Sequence, residues 1–294
     1  MLDLTNRSMG ALIGTAVGDA LGVTFEFQDA PDIPRDRFLM VGGGPFDFAA
    51  GAASDDTDLL HAVLCSYVER DQFDSARAVH KMLAWLNRGP PDVGKQTRCA
   101  LSCWQDGTRP PDNEKAQGNG GLMRAAAHAL SCDDASLAAK FAASDTMLTH
   151  PSKTASECSA FYAAVLWWAI KGLTGDDALS RAAKVATPFK PYNARERSRS
   201  GHCLHSLRLA LWAFESASSF EDGLDAVIRT GGDTDTNATI AGGLLGAKFG
   251  LAGIPDDWLS GLEPKNRQRL EAEGIRLRLG NKRLFQHSPS GAII

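Results

Sequence analysis

The stretch Gly231-Gly232-Asp233-Thr234-Asp235-Thr236-Asn237-Ala238 carries three oxygen donors, Asp233, Asp235 and Thr236, within four positions. It runs into an apolar, helix-like segment over 239–247. A second acidic cluster, Ser54-Asp55-Asp56-Thr57, lies in the other half of the chain. Adjacent carboxylates repel one another unless a cation compensates. Carboxylate and hydroxyl oxygens are what Mg²⁺ and Mn²⁺ take, and neither cluster contains a soft ligand. Each cluster also has a plainer reading. Ser54 is a natural helix N-cap, with Asp55 and Asp56 at the positive end of the helix dipole. A hydroxyl and acids before 239–247 are equally ordinary, but capping needs one acceptor and this stretch supplies several. If the two helix starts converge, they can hold two ions, with waters and a substrate completing the coordination.

Helices must position these clusters. Residues 9–21 are apolar and rich in small side chains, with Gly10, Gly14 and Gly18 at every fourth position. On a helix these form one smooth stripe that lets another backbone approach. Glycine costs about 1 kcal/mol per helical position, so close packing must offset it. Gly22 reads as a C-terminal stop. Residues 28–53 hold Pro31, Pro34, Gly42, Gly43, Gly44, Pro45 and Gly51 without periodicity, and read as a long loop of the kind that is usually functional or mobile. Helical patterning recurs over 57–68, 75–86, 96–104, 122–130, 135–148, 152–171, 176–187, 203–214, 220–229 and 266–277. Pro151 is placed in a first helical turn. Alternating β-branched strands are missing. The expectation is an all-α, compact multi-helix bundle, a single domain over 1–294 with an irregular tail from about residue 280.

Composition narrows the function classes. Hydrophobic residues make up 44%, enough for a sizeable core, and the formal charge of -4 comes without a basic stripe that would suit nucleic acid. The most apolar run, 161–170, is about half the length of a membrane span. The N-terminus lacks the pattern of a signal peptide. Six cysteines, Cys65, Cys99, Cys103, Cys132, Cys158 and Cys203, form no C-x-x-C pair and read as buried thiols in a reducing, cytoplasmic compartment. Zinc at Cys99 and Cys103 is the minor alternative. His61, Cys65 and Trp167-Trp168 read as packing.

Six short motifs stand in a telling order. They are Gly18-Asp19-Ala20-Leu21-Gly22 with Glu26, Ser54-Asp55-Asp56-Thr57, Asp92-x-Gly94, Gly118-Asn119-Gly120-Gly121-Leu122-Met123-Arg124, Thr149-His150-Pro151 and Gly231-Gly232-Asp233-Thr234-Asp235-Thr236. This order resembles the ADP-ribosylglycohydrolase family, and within it the dinitrogenase reductase-activating branch, which removes ADP-ribose from arginine. The resemblance implies an orthogonal helical bundle with a two-Mg²⁺ cleft (Mn²⁺ fits the same donors). It implies metal ligation by Ser54, Asp55, Asp56, Asp233, Asp235 and Thr236, with Ser54 standing where the family commonly has Thr. Glu26 is the implied acid/base. Asp92 matches an aspartate for substrate contact and proton donation, and reads equally well as a turn residue after Pro90-Pro91. Gly118, Asn119, Gly120 and Gly121 are expected to present backbone N–H groups to the pyrophosphate at a helix start. His150 is a candidate ligand contact, Arg124 a brace, and Asp19 a buttress or helix cap.

The implied reaction is Mg²⁺-dependent hydrolysis of ADP-ribosyl-arginine on a protein, with ADP-ribose as product. Two other functions share this scaffold. An immunity protein could neutralise an ADP-ribosyltransferase toxin by occlusion, and a hydrolase could act on a different ADP-ribosyl linkage. Neither nucleic acid nor a membrane is an expected partner.

Overall fold

The computed structural model describes residues 2–69, 71–190 and 200–279. Among them are thirteen α-helices and no strand, only isolated bridges. In chain order the helices are α1 (Leu4–Gly22), α2 (Asp55–Leu64), α3 (Ser75–Leu86), α4 (Lys95–Gln105), α5 (Ala126–Ser131), α6 (Ala135–Thr146) and α7 (Lys153–Ile170). They continue with α8 (Gly175–Ala182), α9 (Cys203–Ser216), α10 (Phe220–Ile228), α11 (Thr234–Phe249), α12 (Asp256–Gly261) and α13 (Pro264–Leu279). The expected irregular tail from Gly280 lies outside the described residues.

The fold is built on α1 and α11, which run antiparallel in backbone contact. A Cβ placed on Gly10, Gly14 or Gly18 would come within 2.3, 2.4 or 2.1 Å of the carbonyl oxygens of Gly246, Gly242 and Ala238. The contact is reciprocal: a Cβ on Gly242 or Gly246 would lie 2.1 or 2.0 Å from the oxygens of Gly14 and Gly10. The glycine stripe therefore meets its complement in Gly242 and Gly246. Gly22 is not the αL stop expected of it. It keeps helical φ/ψ, -72° and -36°, and a 3₁₀ turn over Val23–Phe25 follows. Its small size serves close approach, since a Cβ there would meet the Asp235 Cα at 2.3 Å. The stripe thus runs down to the acidic turn itself.

Helix α1 is long and apolar enough to cross a membrane, unlike the shorter 161–170 run considered from sequence, but 89% of its apolar window is buried inside the protein. It is the central core helix, and every residue from Met9 to Gly22 is buried. Helices α7, α9 and α10 pack around α11, while α2, α5 and α13 flank α1.

Local capping sets most helix starts. Asp3, Asp74, Asp134, Ser152 and Ser219 each accept a backbone N–H from their first turn. Ser152 is the cap of α7, so Pro151 stands just outside the helix rather than in its first turn. Helix α5 starts at Ala126, later than the 122–130 periodicity suggested. The intervening residues form turns, within which the Arg124 side chain donates to the Gly120 carbonyl at 2.6 Å.

Candidate active site

The two acidic helix starts meet. Asp19, near the C-terminal end of α1, is fully buried and accepts the Ser54 N–H at 2.9 Å, the Thr57 N–H at 3.0 Å and the Thr57 hydroxyl at 2.6 Å. It therefore fastens the first turn of α2 to α1. Ser54 caps that helix, its Oγ accepting the Asp56 N–H at 3.2 Å. From the other side, the Thr236 hydroxyl donates to Asp56 Oδ1 at 3.3 Å. Carboxylate oxygens of Asp19, Asp56 and Asp235 lie within 4.8 Å of one another, and so do those of Glu26, Asp233 and Asp235. Asp235 belongs to both groups.

Asp233 stands at the N-terminal boundary of α11 yet makes no side-chain cap. Its Oδ2 instead accepts from Asn119 Nδ2 at 2.7 Å. The plain capping reading thus holds for Ser54 and fails for Asp233.

Glu26 follows α1 through the 3₁₀ turn and is pinned by its neighbours. Phe27 N–H donates to the Gly232 carbonyl at 2.7 Å, and Gly232 N–H donates to the Gln28 carbonyl at 2.8 Å. The turn that carries Asp233 requires φ of +73° at Gly231 and +78° at Gly232, a region glycine enters freely. Asp92 comes from the loop before α4 and lies close enough for its carboxyl and that of Asp55 to influence one another.

Seven carboxyl groups, from Asp19, Glu26, Asp55, Asp56, Asp92, Asp233 and Asp235, influence one another here. None of the ion pairs among the described residues involves any of them. Burial, then the charges of Asp92, Asp233 and Asp19, pushes Glu26 up to about 8. Burial pushes Asp92 up to about 6, with Asp55 opposing the rise. Asp55, Asp56 and Asp235 are raised well above the usual carboxylate range by burial and by their acidic neighbours. Glu26 Oε2, Asp56 Oδ2 and Asp235 Oδ1 are buried without a hydrogen-bond partner. Orphaned anionic oxygens are costly. An all-oxygen donor set with such orphans fits a hard divalent cation.

A pH dependence follows. Unfolded Glu and Asp titrate near 4, whereas Glu26 holds its proton up to about 8 and Asp92 up to about 6. Between these limits the native metal-free protein binds more protons than the unfolded chain. Its stability is full below about pH 4 as far as these groups are concerned, and is lost as pH rises toward 8. Melting curves at pH 5 and pH 8 should show a larger Mg²⁺-induced rise in Tm at pH 8. An equal or smaller rise at pH 8 would contradict the assignment.

The Gly118–Gly121 loop lies beside the cleft, but it does not open a helix. The Gly118 N–H donates to Gln96 Oε1 at 3.0 Å and the Asn119 N–H to the Gly201 carbonyl at 3.0 Å. Two of the four N–H groups expected to face a pyrophosphate are therefore engaged within the protein. His150 lies beneath this loop, only 3% exposed. A Cβ on Gly120 would come within 2.6 Å of its Cε1. Burial and the nearby Arg124 guanidinium push His150 down to about 3, so it is neutral. Arg124, fully buried, donates to Gly120 O, to Asp145 Oδ2 at 2.8 Å and to Thr149 Oγ1 at 2.9 Å. Burial opposes ionisation of Asp145, but Arg124 and His128 outweigh it and hold the carboxyl low. His150 and Arg124 thus support the loop from below. Asn119, expected at the ligand, orients Asp233. No sequence motif signalled that link, because the two are 114 residues apart.

A helical protein with a buried, all-oxygen acidic cluster beside two backbone-packed helices is the class that fold and site define. The family model for ADP-ribosylglycohydrolase matches residues 1–289, and the chain belongs to that family. It is accordingly a glycosidase that acts on ADP-ribosyl linkages. The chain is 33% identical to ADP-ribosylarginine hydrolase Tri1 of Pseudomonas putida, covering 86% of this chain and 73% of that protein. It is 27% identical to the ADP-ribosyl-[dinitrogen reductase] glycohydrolase of Rhodospirillum rubrum, covering 91% and 94%. A solved structure of an ADP-ribosylglycohydrolase-related protein complex superposes with a TM-score of 0.82 at 30% identity, covering 95% of this chain and 99% of that one.

Proposed function

We propose that this enzyme hydrolyses the N-glycosidic bond of ADP-ribosyl-arginine on a modified protein, in a cleft loaded with two Mg²⁺ ions. The observation that carries the reading is the set of three orphaned carboxylate oxygens on Glu26, Asp56 and Asp235, gathered between α1, α2 and α11. The arginine linkage is supported by the relatives named as acting on it. Ser54, Asp55, Asp56, Asp233, Asp235 and Thr236 would hold the ions, and Asp19 would hold the first turn of α2 in register. When bound, the ions supply Lewis acidity toward the ribose hydroxyls and toward water.

The chain's own groups define the remaining chemistry. Hydrolysis exchanges the C1″–N bond for a C1″–O bond to water, and the departing guanidine nitrogen takes up a proton. Glu26 is buried, with a carboxylate oxygen within 4.8 Å of those of Asp233 and Asp235. It is the group placed to give a proton to the leaving nitrogen or to the ribose ring oxygen. Asp92, half-buried at the mouth of the cleft, offers a carboxylate to the arginine guanidinium, for which a charge-assisted hydrogen bond is the natural contact. No disulfide joins the six cysteines among the described residues, which supports a reducing setting. Occlusion of a toxin without catalysis would be favoured by a lost ligand position, and all six are present.

Two variants separate these roles. Under single turnover with an ADP-ribosyl-arginine protein and saturating Mg²⁺, Glu26→Gln is expected to lose about 10²–10⁴-fold in rate, the usual range for a general acid. Asp92→Asn is expected to weaken substrate binding more than it slows the bound complex. A near-normal rate for Glu26→Gln removes it from the chemistry. Absence of release by the wild-type protein, with ADP-ribose still bound, overturns the hydrolase reading of the arginine linkage.

A further inference from the structure

Away from the acidic cleft, α2 carries a second cluster that the reaction does not use. His61 and Cys65 stand one helical turn apart, and α13 brings Glu273 against them from 208 residues along the chain. All three are half-buried. Cys65 Sγ lies 3.5 Å from His61 Nε2 and 3.6 Å from Glu273 Oε1, and one donor atom from each residue lies within 4.8 Å of the other two.

These spacings are those of ligand atoms around a tetrahedral ion. With Zn–S near 2.3 Å and Zn–N or Zn–O near 2.0–2.1 Å, adjacent ligands on a tetrahedron sit about 3.5 Å apart. The donor set of thiol, imidazole and carboxylate is also unlike the all-oxygen cleft, and suits a borderline-soft metal rather than Mg²⁺. Glu273 is held for the purpose: its Oε2 accepts from Arg276 Nε at 2.6 Å, leaving Oε1 turned to Cys65. Arg276 in turn donates to the Leu64 carbonyl at 2.9 Å, so α13 is already seated on the end of α2.

A nucleophilic thiol is the competing use of such a trio. It is disfavoured because Glu273 meets Cys65 rather than orienting His61, and burial with the Glu273 charge pushes the thiol up to about 11.

We propose that His61, Cys65 and Glu273 form a transition-metal site, of the Zn²⁺ class, that is separate from the acidic cleft. Water completes the fourth position. Binding releases the Cys65 thiol proton to solvent and fastens α13 to α2 by coordination bonds.

Cobalt(II) is the probe, added to the full chain in saturating Mg²⁺ so that the oxygen cleft is filled. One equivalent should produce a thiolate-to-cobalt charge-transfer band together with the visible bands of a tetrahedral ion, and Zn²⁺ should erase both. Cys65→Ser should abolish the charge-transfer band. Glu273→Gln should weaken cobalt binding at least about tenfold. Asp235→Asn, in the cleft, should leave the band intact, as should Cys99→Ser and Cys103→Ser. Absence of a band, or its persistence in Cys65→Ser, overturns the proposal. Circular dichroism of the Cys65→Ser and Glu273→Gln proteins should match wild type, which separates lost ligation from lost folding.

Discussion

Asp235→Asn should make the metal-free protein more stable while abolishing its hydrolase activity. Asp235 Oδ1 is buried without a partner, and its carboxyl shares space with those of Asp19, Asp56, Asp233 and Glu26. Burial alone penalises its charge, and four acidic neighbours add to the penalty. The amide keeps the shape and removes the charge. A gain of about 1–2 kcal/mol is expected, typical of relief at a functional site. The same change removes the one carboxylate common to both acidic groups. Loss of a residue that merely orients a ligand costs 10–100-fold, so loss of this one should cost at least about 100-fold. Chemical denaturation in chelator and single-turnover hydrolysis in Mg²⁺ read the two effects. In Mg²⁺ the stability order should reverse, with wild type gaining more. A variant that is less stable in chelator would show that Asp235 is retained for folding and not for a cation.

Gly18→Ala is expected to rank, with Gly246→Ala, among the most costly single-methyl changes at the α1–α11 contact. The added Cβ would stand 2.1 Å from the Ala238 oxygen and 2.5 Å from its carbon, both backbone atoms. Side chains can rotate away from an intruder, but two helix backbones cannot. Overpacking usually costs about 1–3 kcal/mol, and a rigid contact belongs at or above the upper end. Gly18 also adjoins Asp19, and Ala238 follows the acidic turn that opens α11. Separation of the helices would therefore move Asp19 away from Asp235. Hydrolysis should fall along with stability. Gly94→Ala is the contrast: the nearest atom to its new Cβ would be Thr97 Oγ1 at 3.8 Å, and it should change stability by less than about 1 kcal/mol. Equal effects of the two substitutions would mean that α1 and α11 have slack between them.

Much of this architecture is legible along the chain. The four-residue glycine spacing of α1 predicts a backbone neighbour, and α3 spans the residues its periodicity marks. Helix existence is read more easily than helix ends. Helix α5 begins late: turns precede it, and there the Arg124 side chain is engaged by Asp145 and Thr149 from farther along the chain, which no short window of sequence expresses. Helix α12, only Asp256–Gly261, is too short for its periodicity to stand out. In the site, residue type announced the acidic clusters, but neighbourhoods were hidden. Asp19 was legible as a buttress, whereas its three hydrogen bonds to Ser54 and Thr57 depend on α2 folding back over α1. Asn119 and His150 sit in the right motif but point into the protein. Glu273 carries no local signal at all, since its partners lie at the opposite end of the chain.

The paired backbone bonds between Phe27 and Gly232, and between Gly232 and Gln28, have a mechanical meaning. They strap the segment bearing Glu26 to the turn bearing Asp233, so the two acids travel as one lever. The proposed proton donor and the proposed cation ligand are thereby held in one register.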